Sequence, residues 1–276
     1  MATVPEIELN NSVSIPQLGF GVFQVPPAET QRAVEAALEA GYRHIDTAAA
    51  YRNESGVGAA LKASGIARED LFITTKLRNG EQSLARKAFD NSLRELGLDY
   101  VDLYLIHWPV PAQNLYAQVW KELEKIQADG GARAVGVSNF LPEHLETVLA
   151  AADLVPAVNQ IEIHPTLQQA ETVELSRKHG IAIEAYSPLG QGADLKHATV
   201  TDLAAKHNAT PAQIVLAWHL AQGNIVIPKT VSPERMAENL ASAELTLAPD
   251  EVSAITALEA GNRIGADPAT AAFTQM

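Results

Sequence analysis

Four side chains have types and positions suited to proton chemistry: Asp46, Tyr51, Lys76 and His107. Asp46, Lys76 and His107 each end an apolar run of strand length, namely Tyr42–Asp46, Leu71–Lys76 and Val101–His107. Tyr51 follows Asp46 after a short stretch of Thr and Ala. A phenol is a weak acid, with an ordinary pKa of about 10. A neighbouring ammonium stabilises the phenolate and lowers that value, and a carboxylate beside the lysine keeps the ammonium charged and in place. Together they form a general-acid group able to protonate a developing alkoxide. A neutral His107 can orient a carbonyl oxygen through one N–H.

The pattern continues along the chain. Ser138-Asn139, Asn159-Gln160, Tyr186-Ser187 and Lys229-Thr230 stand at the ends of, within, or just after further apolar runs. A single polar residue at a strand end is an ordinary satisfied group. A polar group at this position in strand after strand marks one face of a sheet as chemical. A phosphate site is also legible. Ser232-Pro233-Glu234-Arg235 starts a helix with Ser232 as N-cap, and Lys229 precedes it. A helix N-terminus flanked by Lys and Arg attracts anions, although an ordinary capped helix with solvated bases fits the same residues. Ser187-Pro188-Leu189-Gly190-Gln191-Gly192 is a tight turn of the kind that can lie along a pyrophosphate, a weak signal by itself.

These groups need a scaffold that brings strand ends together. The candidate strands are Gln17–Gly21, Tyr42–Asp46, Leu71–Lys76, Val101–His107, Ala132–Ser138, Ala157–Ile161, Ile181–Tyr186 and Ile225–Pro228. Between and after them lie the helical stretches Ala28–Ala40, Glu54–Ser64, Ser83–Leu96, Gln113–Ala128, Pro142–Ala151, Gln168–His179, Pro211–Gln222 and Pro233–Ala241. The strands are almost continuously apolar, as in a parallel sheet covered on both faces. Eight such units in roughly 250 residues predict an α/β fold, a (β/α)8 TIM barrel, with a doubly wound open sheet as the competing architecture. Glu6–Asn10 and Val13–Pro16 predict an N-terminal hairpin plugging the barrel bottom, and Val200–His207 and Pro249–Leu258 predict extra helices. Gly19-Phe20-Gly21-Val22-Phe23-Gln24 lacks the third glycine and the following helix of a dinucleotide fingerprint, so a Rossmann reading is rejected.

Composition sets limits. The chain has 276 residues with 47% hydrophobic and 19% charged, and no linker divides it, so residues 1–276 are expected to form one domain. It has no cysteine, which excludes disulfides, thiolate nucleophiles and cysteine-held metals. His44, His164 and His219 lack metal-ligand spacing, and no metal is expected. The net charge of −13 without a basic run argues against nucleic acid. The start, Met1 to Glu8, is neither basic nor apolar enough for a signal peptide, and the charge-free stretch His207–Pro228 is too polar to span a membrane. A cytoplasmic monomer is the expectation. Trp120 and Trp218 are expected in the core, and Lys87, Arg94 and Lys125 on solvated helix faces.

Several segments together resemble one family. They are Gly41-Tyr42-Arg43-His44-Ile45-Asp46-Thr47-Ala48-Ala49-Ala50-Tyr51-Arg52-Asn53-Glu54, Ile73-Thr74-Thr75-Lys76-Leu77 and Tyr100-Val101-Asp102-Leu103-Tyr104-Leu105-Ile106-His107-Trp108-Pro109. Gly136-Val137-Ser138-Asn139-Phe140, Asn159-Gln160-Ile161-Glu162 and Ile227-Pro228-Lys229-Thr230, with Arg235, Glu238 and Asn239, follow in order. The chain resembles the aldo-keto reductases, most closely bacterial members similar to 2,5-diketo-D-gluconate reductase, from about residue 5 to Phe273.

The resemblance implies an NADPH-dependent reductase of small carbonyl substrates, with Asp46, Tyr51, Lys76 and His107 catalytic and Tyr51 the proton donor. By the same resemblance Ser138, Asn139 and Gln160 hold the nicotinamide carboxamide and Tyr186 stacks on its ring. Ser187, Leu189 and Gln191 follow the pyrophosphate. Lys229, Thr230, Val231 and Arg235 surround the 2′-phosphate, with Glu238 and Asn239 near the adenine. Gly21, Val22 and Phe23 border the nicotinamide beside Asp46, and Phe23, Tyr51, His107 and Trp108 line the substrate pocket.

Two features depart from the family or bear on the substrate. The loop Arg78-Asn79-Gly80-Glu81-Gln82 is shorter than in many relatives and lacks their Trp, and the tail from Asn262 to Phe273 is expected to fold over the site. A non-catalytic NADPH-binding sensor on the same fold is the alternative. A metal-dependent hydrolase would need clustered ligands that the strand ends lack.

Overall fold

The computed structural model describes residues 4–275. Met1–Thr3, where the N-terminal reading begins, and Met276 at the end of the tail lie outside the described residues.

The chain opens with an antiparallel hairpin of β1 (Glu6–Glu8) and β2 (Ser14–Pro16), in which Ile7 faces Ile15. Its apolar residues do what the alternating pattern requires: Leu9 and Ile15 are buried against Phe72, Leu103, Ala134, Val158 and Ile225. Those residues belong to the barrel strands, so the hairpin stoppers one end of the barrel as expected. Asn10 and Asn11 pin it by donating to the carbonyls of Pro156 and Arg133.

Eight parallel strands follow: β3 (Phe20–Gly21), β4 (His44–Asp46), β5 (Phe72–Leu77), β6 (Val101–Ile106), β7 (Ala132–Ser138), β8 (Val158–Glu162), β9 (Ala182–Tyr186) and β10 (Ile225–Val226). Each hydrogen-bonds to its neighbour in chain order. The ring closes through the stretch before β3. Leu18 bridges Val226 in parallel, Gly19 N–H donates to Val226 O at 2.8 Å, and Val226 N–H donates to Gln17 O at 2.8 Å. Closure removes both sheet edges and selects the barrel over the open sheet.

The first and last barrel strands are shorter than their apolar runs suggest. Pro16 and Pro228 flank the seam and carry no N–H for the ladder. Gly21 sits where a β-carbon would come within 2.9 Å of Ile227 O, so only glycine lets the two backbones approach.

The helices pack outside the ring: α1 (Pro27–Ala40), α2 (Glu54–Ser64), α3 (Ala85–Leu96), α4 (Tyr116–Ala128), α5 (Pro142–Ala151), α6 (Ala170–Lys178), α7 (Ala198–His207), α8 (Pro211–Ala221), α9 (Pro233–Ala241) and α10 (Pro249–Thr256). Proline in the first turn starts several of them, including α5, α8 and α9. The α8 start is a capping box, with Thr210 Oγ1 accepting from Gln213 N–H and Gln213 Oε1 accepting from Thr210 N–H. Gly97 ends α3 at φ 66°, in the left-handed region. Trp120 and Trp218 are fully buried between helices and sheet. This layer, continuous from Leu18 to Ile255, is the main core. The barrel interior is different, because it carries a column of polar side chains.

Candidate active site

Asp46 is the last residue of β4, and Lys76 lies near the end of β5. In register Asp46 faces Thr74, so Lys76 stands one alternate position further toward the strand ends. Both side chains are almost wholly buried. Lys76 Nζ donates to Asp46 Oδ1 and Oδ2 at 2.7 Å each, to Thr47 O at 2.9 Å and to Tyr51 Oη at 3.4 Å. Tyr51 closes a single 3₁₀ turn, Ala49–Tyr51, that ends on left-handed Arg52 at φ 57°. Asn53 then anchors the loop. Its Nδ2 donates to Val22 O and Val25 O, and its Oδ1 accepts from Thr47 Oγ1. The Val22–Phe23 loop is thereby tied to the Tyr51 loop, and the Phe23 and Tyr51 rings lie 5.1 Å apart. The His107 ring lies 5.6 Å from the Tyr51 ring, edge on. The structure thus unites the four proposed catalytic residues at the C-terminal mouth of the barrel, where barrel enzymes place their chemistry.

The electrostatics correct one expectation. The residue types alone predict a Tyr51 phenol that Lys76 brings below its ordinary value. Burial is the larger influence, and it carries the phenol up to about 12 although Lys76 pulls the other way. Burial also opposes the charge on Lys76, but the attraction of Asp46 and Tyr51 outweighs it and holds the ammonium above its ordinary range. Burial, reinforced by Lys76, pushes His107 well below the usual imidazole value. His107 is therefore neutral and can donate one N–H. Its Nδ1 is buried with no partner among the described residues.

Across the barrel, β7 and β8 carry a second polar group. Ser138 Oγ donates to Gln160 O at 2.8 Å. Asn139, in the left-handed region at φ 63°, donates through Nδ2 to His107 O and Ser138 Oγ. Tyr186 Oη donates to Asn139 Oδ1 at 2.7 Å. Gln160 Nε2 reaches both Asp46 Oδ2 and Glu184 Oε2, each at 2.8 Å. With these N–H groups engaged, the face offers the second lone pair of Asn139 Oδ1 and the carbonyl end of Gln160, acceptors that suit a primary carboxamide.

The distal groups lie along the next two strand ends. Ser187 and Gln191 adopt φ 47° and 50° in the turn that carries Leu189. Lys229, Val231 and Arg235 are exposed and Thr230 is half-buried. Neither Lys229 nor Arg235 is in a salt bridge among the described residues. Ser232 Oγ accepts from Arg235 N–H at 3.4 Å and so caps α9. Glu238 is turned partly elsewhere: its Oε1 accepts from Thr210 Oγ1 at the start of α8. Asn239, on α9 itself, is buried.

The tail closes the remaining side. Trp108 packs edge on against Phe273 at 5.0 Å, with Val110 and Ala271 buried beside them. The short Arg78 loop holds this segment, because Asn79 Nδ2 donates to Phe273 O and Arg78 Nε donates to Gln275 O. Trp108 Nε1 is buried without a partner among the described residues. Further along, Glu162 accepts from the backbone N–H groups of Ile264 and Gly265 at 2.7 and 2.8 Å. Glu162 is itself joined by His164, whose other ring nitrogen meets Asp194 at 2.7 Å.

Glu184, Asn53, Asn79 and the Glu162–His164–Asp194 group did not stand out as functional in the sequence. Glu184 had a readable signal: it is an acid inside an apolar parallel strand, two residues before Tyr186 and so on the same face.

The profile of the aldo/keto reductase family matches residues 17–260. An aldo-keto reductase of Mycolicibacterium smegmatis is 52% identical over 272 residues, covering 98% of this chain and 99% of the relative. The methylglyoxal reductase DkgA of Escherichia coli is 46% identical over 270 residues, covering 97% and 98%. Among solved structures, a Gox0644 variant crystallised with NADPH superposes with a TM-score of 0.94 at 43% identity, covering 98% of this chain and all of that one. The Bombyx mori aldo-keto reductase in complex with NADP gives a TM-score of 0.90 at 34% identity, covering 96% of each chain. Barrel, site and matches agree in class: this is an oxidoreductase barrel. The chain belongs to the aldo/keto reductase family.

Proposed function

We propose that this protein reduces small aldehydes and ketones, dicarbonyls or keto sugars among them, to alcohols with NADPH, acting as a monomer with Tyr51 as proton donor. The observation that carries the reading is the Lys76 ammonium, held by Asp46 at 2.7 Å and within 3.4 Å of the Tyr51 hydroxyl. Relatives named methylglyoxal reductase support a dicarbonyl substrate.

The residues fit the cofactor at both ends. Asn139 and Gln160 present acceptors for a carboxamide, and Lys229, Arg235 and the capped start of α9 present cations and N–H groups for a phosphate. Ser138 and Tyr186 complete the nicotinamide end. Gly21, Val22 and Phe23 border it, and the turn of Ser187, Leu189 and Gln191 lies between the two ends. Thr230 and Val231 flank the phosphate, with Glu238 and Asn239 beyond. When bound, NADPH supplies the hydride.

The protein's own part is orientation and proton delivery. Tyr51 Oη and a ring N–H of His107 converge on the carbonyl oxygen. As the carbonyl carbon gains its new C–H bond, Tyr51 Oη gives its proton to the oxygen. The phenolate left behind is stabilised by Lys76, which Asp46 keeps charged. Charge develops only in the transition state, so a preformed ammonium lowers the barrier without strengthening substrate binding. Phe23, Trp108 and the tail exclude water from this step. The test is NADPH oxidation across a carbonyl panel that includes methylglyoxal, with NADH in parallel. Turnover with reactive carbonyls and a preference for NADPH are expected; a cofactor-binding protein without turnover on any member would overturn the reading.

A further inference from the structure

Glu184 lies inside the barrel on β9, level with Gln160 of β8, and is wholly buried. Its two oxygens have different surroundings. Oε2 accepts from Gln160 Nε2 at 2.8 Å, and the same nitrogen donates to Asp46 Oδ2 at 2.8 Å. Oε1 accepts from no donor among the described residues and faces His44 Nε2 at 3.5 Å.

The state of His44 decides what that second oxygen carries. His44 Nδ1 lies 3.3 Å from Pro16 O, which can only accept, so Nδ1 holds the ring proton. Burial, with a contribution from Lys76, brings the imidazole down to about 3 although Pro16 O works the other way, so the ring is neutral and Nε2 is a bare lone pair. Thr74 Oγ1 can donate to that lone pair from 3.3 Å. A carboxylate oxygen would still put two buried acceptors face to face, an arrangement that costs free energy without a proton between them.

We propose that Glu184 is a positioning residue of the reductase: a carboxylic acid, protonated on Oε1 toward His44 Nε2, that holds Gln160 against Asp46 and so steadies the Asp46–Lys76–Tyr51 group from inside the barrel. The proposal rests on the assignment of Tyr51 and Lys76 above. Gln160 is the connecting piece, because its two N–H bonds go to the two acids. If Glu184 gives way, Gln160 can turn, and Asp46 loses one of the donors that fix it.

Protonation matters for the reaction. The groups facing Glu184 are His44 and Asp46 from β4, Thr74 and Lys76 from β5 and Gln160 from β8, with Tyr51 beyond; β10 places Ile225 beside it, which does not titrate. Burial is the main cause, and the Asp46 charge adds to it, in raising the carboxyl to about 8 against the pull of Gln160 and Lys76. Below that pH Glu184 adds no second negative charge beside Asp46, whose own carboxyl burial also raises while Lys76 and Gln160 work to hold it down. Above it a second buried anion opposes formation of the Tyr51 phenolate, so reduction slows.

The experiment uses full-length protein and three readouts. At pH 7 the infrared carbonyl band of a protonated carboxylic acid should be present in wild type and lost in Glu184→Gln. Glu184→Met should lose about tenfold or more in kcat, the scale of leaving buried polar groups unpaired. Glu184→Gln, which can accept from Gln160 and donate to His44, should recover most of that loss and lack the fall in kcat near pH 8. No loss of an acid band in Glu184→Gln, equal defects in the two variants, or a folded Glu184→Met with wild-type kcat would each overturn the proposal. Should Glu184→Met fail to fold, the infrared band and the Glu184→Gln profile decide. A Tyr51→Phe variant that still turned over would remove the catalytic assignment instead, and the infrared band would be unaffected by that outcome.

Discussion

The Tyr51 hydroxyl stands 3.4 Å from Lys76 Nζ, at the outer limit of a hydrogen bond, while the same nitrogen grips both oxygens of Asp46 at 2.7 Å. The contact with Tyr51 has room to shorten as the phenol gives up its proton. In the resting protein burial keeps the phenol protonated, up to about 12, so the acid is loaded at any working pH. Tyr51→Phe removes the hydroxyl and keeps the ring against Phe23 and His107. The expected result is a fall in kcat of about 10²-fold or more with NADPH affinity little changed. Steady-state kinetics and a cofactor titration check it; near-wild-type turnover would end the proton-donor role, and collapse of cofactor affinity would make Tyr51 structural.

Lys76→Met removes the charge and leaves Asp46 without its ammonium partner. Most activity should be lost, and any residual reduction should show the limb near pH 8 displaced, because Lys76 holds down the Glu184 carboxyl that sets it. An unchanged profile in a folded, residually active variant would argue against the coupling. Burial and Lys76 keep His107 uncharged, so the wild-type profile should carry no limb from a histidine at its ordinary value.

We propose that Lys229 and Arg235 set the choice between NADPH and NADH. On a chain of net charge −13 the long-range field opposes a phosphate, so the local pair and the α9 start must supply the attraction. Arg235→Ala should weaken NADPH by about 1.5–3 kcal/mol, the range for a charge-assisted contact, and leave NADH nearly untouched. Because Arg235 is exposed, the effect should shrink in high salt. Fluorescence titrations of both cofactors at two ionic strengths measure this, and equal losses for both would assign Arg235 to the fold or the adenine.

Glu162 ties the tail to the site through the N–H groups of Ile264 and Gly265. Glu162→Ala should speed hydrogen exchange at those two amides and raise KM for the carbonyl more than it changes kcat. Unaltered exchange there would show that the Trp108–Phe273 contact alone holds the tail.

His164 supplies a pH-dependent part of stability. Burial works against its charge, but the hydrogen bonds and charges of Asp194 and Glu162 prevail and raise it to about 9. A raised imidazole stabilises the fold fully below its unfolded value of about 6.5, and the contribution disappears as pH rises through the folded value. His164→Asn should therefore lower Tm more at pH 6 than at pH 9.5. An equal drop at both would mean that His164 acts by packing alone.

Much of this protein could be read directly from its residues, and the remainder has identifiable physical reasons. Continuous apolar runs ending in polar groups marked β4 to β9 and their active face, because a covered parallel strand must be apolar throughout and its end is where chemistry is free to sit. Glu54–Ser64, Pro142–Ala151 and Pro233–Ala241 matched their helices residue for residue, since local caps, proline starts and left-handed stops terminate a helix without help from distant chain. The short seam strands β3 and β10 depend on what the other end of the chain offers, and their length could not be read from either segment alone. The Tyr51 phenol illustrates the same limit. Residue types correctly predicted the pull of Lys76, but the larger opposing effect is the loss of water, which exists only once the loops of Val22, Asn53 and His107 have closed around the ring. Glu184, His44 and Gln160 are far apart in the chain and form one group only because the barrel closes. Local order encodes which strands and helices form and which side chains face the mouth; desolvation and long-range pairing, which require the folded barrel, decide how those side chains are charged and held.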